Sequence, residues 1–180
     1  MCDDPYETYI IKVDSTNITS ATANSFVAYL PIPLLNVTKV ELLSASITPA
    51  SNSSPVLYLH VEELISKFVN RAAALYTIGG YGNVLTTVGT VSSALSNEQK
   101  LAEAMVAIPV DTTRASATPV IYTSGGLFPT ELVYIDPIRR LDKLTINTYT
   151  STGSLVITQS TIPSFFVFRF HCAKRNARLY

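Results

Sequence analysis

Residues 132–172 carry an apolar period of two that persists across turns, and this constrains the fold more than any other feature of the chain. Leu144 and Ile146 alternate with Thr145, Asn147 and Tyr149, and Leu155 and Ile157 resume the pattern after Thr-Ser-Thr-Gly at 150–153. Residues 132–135 add a short apolar run, and Phe166, Phe168 and Phe170 fall on one face of a closing segment. Side chains of a strand alternate between faces, so the pattern predicts four strands in quick succession, with turn residues where a hairpin needs them.

The rest of the chain extends this reading. Tyr9, Ile11 and Val13 alternate with Ile10, Lys12 and Asp14, which predicts an opening strand, and the polar run 16–24 reads as a loop. Residues 26–30 form a second strand, closed by Pro31 and Pro33, which lack the N–H of a ladder. Residues 37–47 are the longest β candidate, with Leu43, Ala45 and Ile47 on one face and Val40 and Leu42 on the other. Two apolar faces predict a central strand. After a turn at 50–55, Leu57, Leu59 and Val61 point one way and Tyr58, His60 and Glu62 the other, as in a half-buried strand.

The middle differs. Leu64, Ile65, Phe68, Val69, Ala72 and Leu75 follow a helical period, and Gly-Gly-Tyr-Gly at 79–82 would stop it. Ser-Asn-Glu-Gln at 96–99 has the form of a capping box, with Leu101, Ala104, Met105 and Ile108 at helical spacing behind it, although residues 104–110 fit a strand equally well. Residues 112–118 read as a loop.

The count is eight or nine strands with one or two short helical insertions in 180 residues. Strands spaced by turns without regular βα alternation predict an all-β fold, a single antiparallel β-sandwich, and eight strands in two sheets is the jelly-roll count. One domain over 1–180 is expected, with 65–118 as an insertion or loop-rich region and 173–180 as a basic tail.

Only 14% of the residues are charged, against roughly 25% in an average soluble domain, while 47% are hydrophobic and the net charge is zero. Such a surface is expected to be covered, by other subunits or by lipid. No stretch approaches the roughly 20 apolar residues of a membrane-spanning helix, and the acidic start Met-Cys-Asp-Asp-Pro does not resemble a secretory signal. Folding in a cytosol is therefore expected. On that expectation Cys2 and Cys172 are free thiols, and the glycosylation-like triplets at Asn17, Asn36 and Asn52 carry no weight.

Motifs for chemistry are sparse. His60 and His171 are the only histidines, and His171 and Cys172 are strand neighbours that face opposite ways, so they do not converge on one ion. His60, two residues from Glu62, reads as surface polarity. Cys172 with His60 as base is the one nucleophilic pair to weigh, but Cys172 takes an apolar position beside the phenylalanines, where a thiol is normally inert. There is no Gly-x-Ser-x-Gly elbow, and residues 79–83 lack the spacing and lysine of a phosphate loop.

Glu131, Asp136 and Asp142 are interleaved with Arg139 and Arg140, a pattern of solvated turns or subunit contacts. The C-terminal part carries Arg169, Lys174, Arg175 and Arg178, with no carboxylate after Asp142. This basic end suits acidic groups of a neighbouring subunit better than nucleic acid or an anionic membrane, since four charges make a weak footprint. No enzymatic activity, cofactor or metal is expected. The expected assembly contacts are Arg139, Arg140, Lys174, Arg175 and Arg178.

Residues 40–47, Val-Glu-Leu-Leu-Ser-Ala-Ser-Ile, followed by a Pro-containing turn and Leu-Tyr-Leu-His-Val-Glu-Glu-Leu at 57–64, resemble the front half of small viral jelly-roll proteins. Residues 135–146 with the hairpin through 153–156 resemble their back half. The family is the penton (vertex) proteins, and related minor capsid proteins, of large icosahedral double-stranded DNA viruses with double jelly-roll major capsid proteins. The resemblance excludes roughly residues 65–118. It implies a structural protein of the virion, made in the host cytoplasm, five copies of which plug each fivefold vertex. The implied partners are itself as a homopentamer, the major capsid protein, minor capsid proteins and an internal membrane, with no specific nucleic acid. Two other readings stand beside it. One is a β-sandwich module that binds carbohydrate or a receptor through tyrosines such as Tyr58, Tyr81 and Tyr149. The other is a cement protein elsewhere in the same shell.

Overall fold

A strand that buries one face must alternate buried and more exposed side chains, and residues 165–173 do so without interruption. The computed structural model describes residues 6–16, 24–51, 53–65, 101, 103–125, 131–156 and 162–174. Seven strands form among them: β1 (Tyr6–Asp14), β2 (Ser25–Ile47), β3 (Val56–Val61), β4 (Val106–Pro109), β5 (Val120–Thr123), β6 (Glu131–Thr150) and β7 (Phe165–Ala173). They pair antiparallel in the order β1-β7-β2-β6-β3-β4, with β5 also on β2. The fold is all-β, as expected, and takes the form of a curled antiparallel sheet.

The curl comes from the two long strands. Residues 25–35 of β2 pair with β6 alone, residues 37–41 lie between β7 and β6, and residues 44–46 lie between β7 and β5. β6 in turn passes from β2 to β3 at Ile146 and Asn147. One cluster of buried side chains draws on all seven strands. Phe26 of β2 meets Phe166 of β7 with ring centroids 6.3 Å apart, joining the two ends of the curl across the core.

β2 corrects three expectations. Pro31 and Pro33 do not end a strand. Residues 30–33 bulge opposite the single residue Asp142, so both prolines sit where no ladder N–H is required. Nor do Val40 and Leu42 face away from Ala45 and Ile47. All four are buried in one core, because the register shifts between Leu42 and Ser44 and an extra residue moves every later side chain to the other face. β2 is central as expected, but Leu43 is only half-buried and its outer phase is polar.

A further switch of phase lies between Leu34 and Val37, where Asn36 adopts φ 53°. Asparagine tolerates this left-handed conformation better than residues with a branched Cβ. Replacing it by valine should cost about 1–2 kcal/mol of unfolding free energy, and Asn36→Gly should be within a few tenths of neutral. Urea titration of the two variants checks this. Equal loss in both would place the role of Asn36 in its side chain instead.

The expected strands at 132–135 and around 144–149 are one strand, β6, which crosses Pro137 by a bulge of residues 134–137 opposite Thr38. The turn after it forms as expected. Gly153 takes φ 78° and donates to the carbonyl of Thr150 at 3.0 Å, while Thr150 donates to Ser154 at 2.8 Å. Residues 106–109 are strand, so the helical spacing expected to run to Ile108 does not. The helix expected from residue 64 is, where described, a single 3-10 turn, Glu62–Leu64. The rest of it, the glycines at 79–82 and the capping box at 96–99 lie outside the described residues. Among the described residues no helix is long and apolar enough to cross a membrane.

Candidate assembly surface

The outer side of the sheet carries one linked group of charges. On β7 the residues between the phenylalanines, Arg169 and His171, point away from the core. The pairing puts Arg169 opposite Glu41 of β2 and His171 opposite Lys39. Glu41 becomes the hub: Lys39 Nζ lies 2.7 Å from it, Arg169 Nη1 donates at 3.0 Å, and His171 Nε2 is 3.8 Å away. Lys39 also meets Glu131 of β6. The Lys39 ammonium, ahead of Arg169 and His171, holds the Glu41 carboxyl below the usual carboxylate range. Sequence reasoning missed this group. The signal was present in the polar phase of residues 39–41, but the residues it meets stand about 90 and 130 positions further along the chain.

The expected contact residues separate. Arg140 is exposed but spent within its own strand, with Nε donating to both carboxylate oxygens of Asp142 at 2.9 Å. Arg139 and Lys174 are exposed and line one cleft of about 430 Å³, to which β1, β2, β6 and the end of β7 contribute. Neither has a carboxylate partner among the described residues. Arg175 and Arg178 lie outside the described residues, as do Cys2, Tyr81 and Asn17. In the same cleft Tyr9 donates its hydroxyl to Glu7 at 2.7 Å.

His60 is not surface polarity: it is 6% exposed. Its ring stands edge-on to Tyr149, with centroids 5.9 Å apart, and its Nε2 is 3.9 Å from Glu103, while Nδ1 has no hydrogen-bond partner among the described residues. Glu62 lies in the 3-10 turn and accepts from Asn147 Nδ2 at 3.3 Å. Its neighbour Glu63 accepts from both the backbone N–H and the hydroxyl of Thr145, at 2.6 and 2.7 Å. Burial pushes the His60 imidazole below its ordinary pKa despite Glu103, Glu62 and Glu63 nearby.

Cys172 is buried in the core cluster, as its position beside the phenylalanines predicted, and burial pushes its thiol up to about 11, with Glu7 adding to the effect. A thiol so held is a poor nucleophile at neutral pH. β2 and β6 stand between its strand and that of His60, so the two do not form a pair. Among the described residues no three His, Cys, Asp or Glu side chains cluster as a metal site. Tyr149, expected as an exposed stacking platform, is 8% exposed, since it sits in the core against His60; Tyr58 is half-buried.

Several large apolar side chains are also exposed. Tyr29 (80% exposed) and Ile32 lie on β2, Val133 and Ile135 (78%) on β6, and Ile121 on β5. No protein-family model matches the chain, and no curated protein matches it in sequence.

Proposed function

We propose that this chain is a structural capsid protein, a single jelly roll that assembles as five copies into the vertex of an icosahedral virion. The observation that carries the reading is a set of exposed apolar side chains on two neighbouring strands: Tyr29 and Ile32 of β2 and Val133 and Ile135 of β6 are each more than half exposed. Large exposed apolar groups of this kind favour burial in an interface. The chain has few charges, 14%, to solvate such a surface.

The strand pairing supports the jelly-roll part of the proposal. A jelly roll sets two four-stranded antiparallel sheets face to face. The pairings here run β1-β7-β2-β5 and β2-β6-β3-β4, with β2 common to both, its residues 37–41 bonded to β7 and β6 at once, and the first strand beside the last. A ring of five uses a head-to-tail interface, so each copy covers two different flanks. The major capsid protein would surround that ring, with minor capsid proteins and an internal membrane as further partners.

Native mass spectrometry of the purified chain tests the reading. The expected result is a complex of five copies that grows in with concentration through the micromolar range. A monomer across that range, with no uptake into shells assembled in its presence, would sink it.

A further inference from the structure

The interior stripe Phe166, Phe168, Phe170 and Cys172 has a register partner at every step on β1: Val13, Ile11, Tyr9 and Glu7. Directly opposed residues of an antiparallel pair share a face. The core therefore runs out at Glu7 and Cys172, and the cleft of about 430 Å³ opens there. The cleft meets that interior at one buried core residue, Cys172. Its volume falls within the roughly 300–1,000 Å³ of ordinary ligand sites, and the mouth of a β-fold is a common place for one.

Its walls have two chemistries. Pro33 and Leu35 of β2 and the buried Cys172 give an apolar lining. Arg139 and Lys174 add two cations that have no carboxylate partner among the described residues. By contrast Lys39, Arg140, Lys143 and Arg169 each meet a carboxylate within 4 Å. Glu7, the one acidic residue among the described residues that line the cleft, accepts from the Tyr9 hydroxyl.

We propose that this cleft binds an amphiphilic anion, with an apolar body that continues the core stripe over Cys172 and Leu35 and a carboxylate or phosphate head held by Arg139 and Lys174. The apolar body would cover surface that the end of the stripe leaves open. The head would supply the counter-charge that the two cations lack. A free fatty acid and the headgroup and upper chain of an anionic lipid share this chemistry.

The test uses the full chain carrying Cys2→Ser, so that Cys172 is the sole thiol. Octanoate, octyl phosphate, octanol and acetate are titrated separately, read by backbone amide shifts at Leu35, Asn36 and Cys172 and by the rate at which a small alkylating reagent modifies Cys172 at alkaline pH. Octanoate and octyl phosphate should saturate these shifts and slow the alkylation, whereas octanol and acetate should bind at least about tenfold more weakly. Arg139→Gln and Lys174→Gln, both at exposed positions, should each weaken octanoate by about tenfold without moving the urea midpoint. Co-sedimentation with phosphatidylglycerol vesicles would assign the source to a lipid surface, and octanoate binding without vesicle binding would assign it to a free amphiphile. No saturable shift with either anion, binding of octanol as tight as octanoate, or undiminished affinity in the doubly substituted chain would overturn the proposal.

Discussion

Phe168→Ala should remove about 3–5 kcal/mol of unfolding free energy, a large part of the roughly 5–15 kcal/mol that holds a domain of this size together. Phe168 is fully buried in the middle of β7, with Phe166 and Phe170 ring centroids 6.3 and 6.1 Å away. Because β7 bonds to β1 on one edge and β2 on the other, a void there cannot be closed by moving one strand without breaking a ladder. Phe168→Leu, which leaves a smaller void, should lose about 1–2 kcal/mol. Val167→Thr, on the outer phase of the same strand, should stay within about 0.5 kcal/mol. Urea denaturation of the three variants measures the series. Equal loss at Phe168 and Val167 would mean that the phenylalanine stripe is not the centre of the core.

The same strand shows what was legible in the sequence. β7 has no bulge within its stripe, so period two alone located its buried residues, and the burial of Cys172 followed from its phase. β2 and β6 were harder, because their bulges lie where prolines and an asparagine reset the phase. Pro31 and Pro33 read as a stop since a proline breaks a ladder; that a strand can carry them in a bulge depends on the partner strand passing them by. Val40 and Leu42 were assigned to the wrong face because the extra residue near Leu43 has no mark in the sequence. The Glu41 hub was invisible for a different reason: its partners are brought together by strand order, which depends on the whole topology. Arg139 and Lys174 were chosen for their charge, and the cleft they share could not be read from residues 35 positions apart.

Lowering the pH should destabilise the fold in two stages. The first belongs to His60, whose imidazole is kept neutral by burial and whose folded pKa is lowered from 6.5. Above that value neither the folded nor the unfolded chain binds the proton, and stability is at its full level. As the pH falls below it, the unfolded chain takes up a proton that the folded chain refuses, and stability declines until the folded pKa is reached, by at most about 1.4 kcal/mol per pH unit. The groups facing the ring set the outcome: Glu103, Glu62 and Glu63 favour the charged form, but burial outweighs them. The second stage belongs to carboxylates held below their ordinary range, chiefly Glu41 beside Lys39 and Asp14 beside Thr16. Their contribution is present at neutral pH and is lost as the pH falls below about 4.5, because the unfolded chain is protonated first. Urea midpoints from pH 7.5 to 3 measure both stages. His60→Phe, which keeps a ring against Tyr149, should flatten the profile between pH 6.5 and 5 and leave the lower limb unchanged. Glu41→Gln should do the reverse. A wild-type midpoint that stays constant from pH 7 to 5 would show that the imidazole accepts its proton without penalty, and would remove burial as the dominant influence on His60.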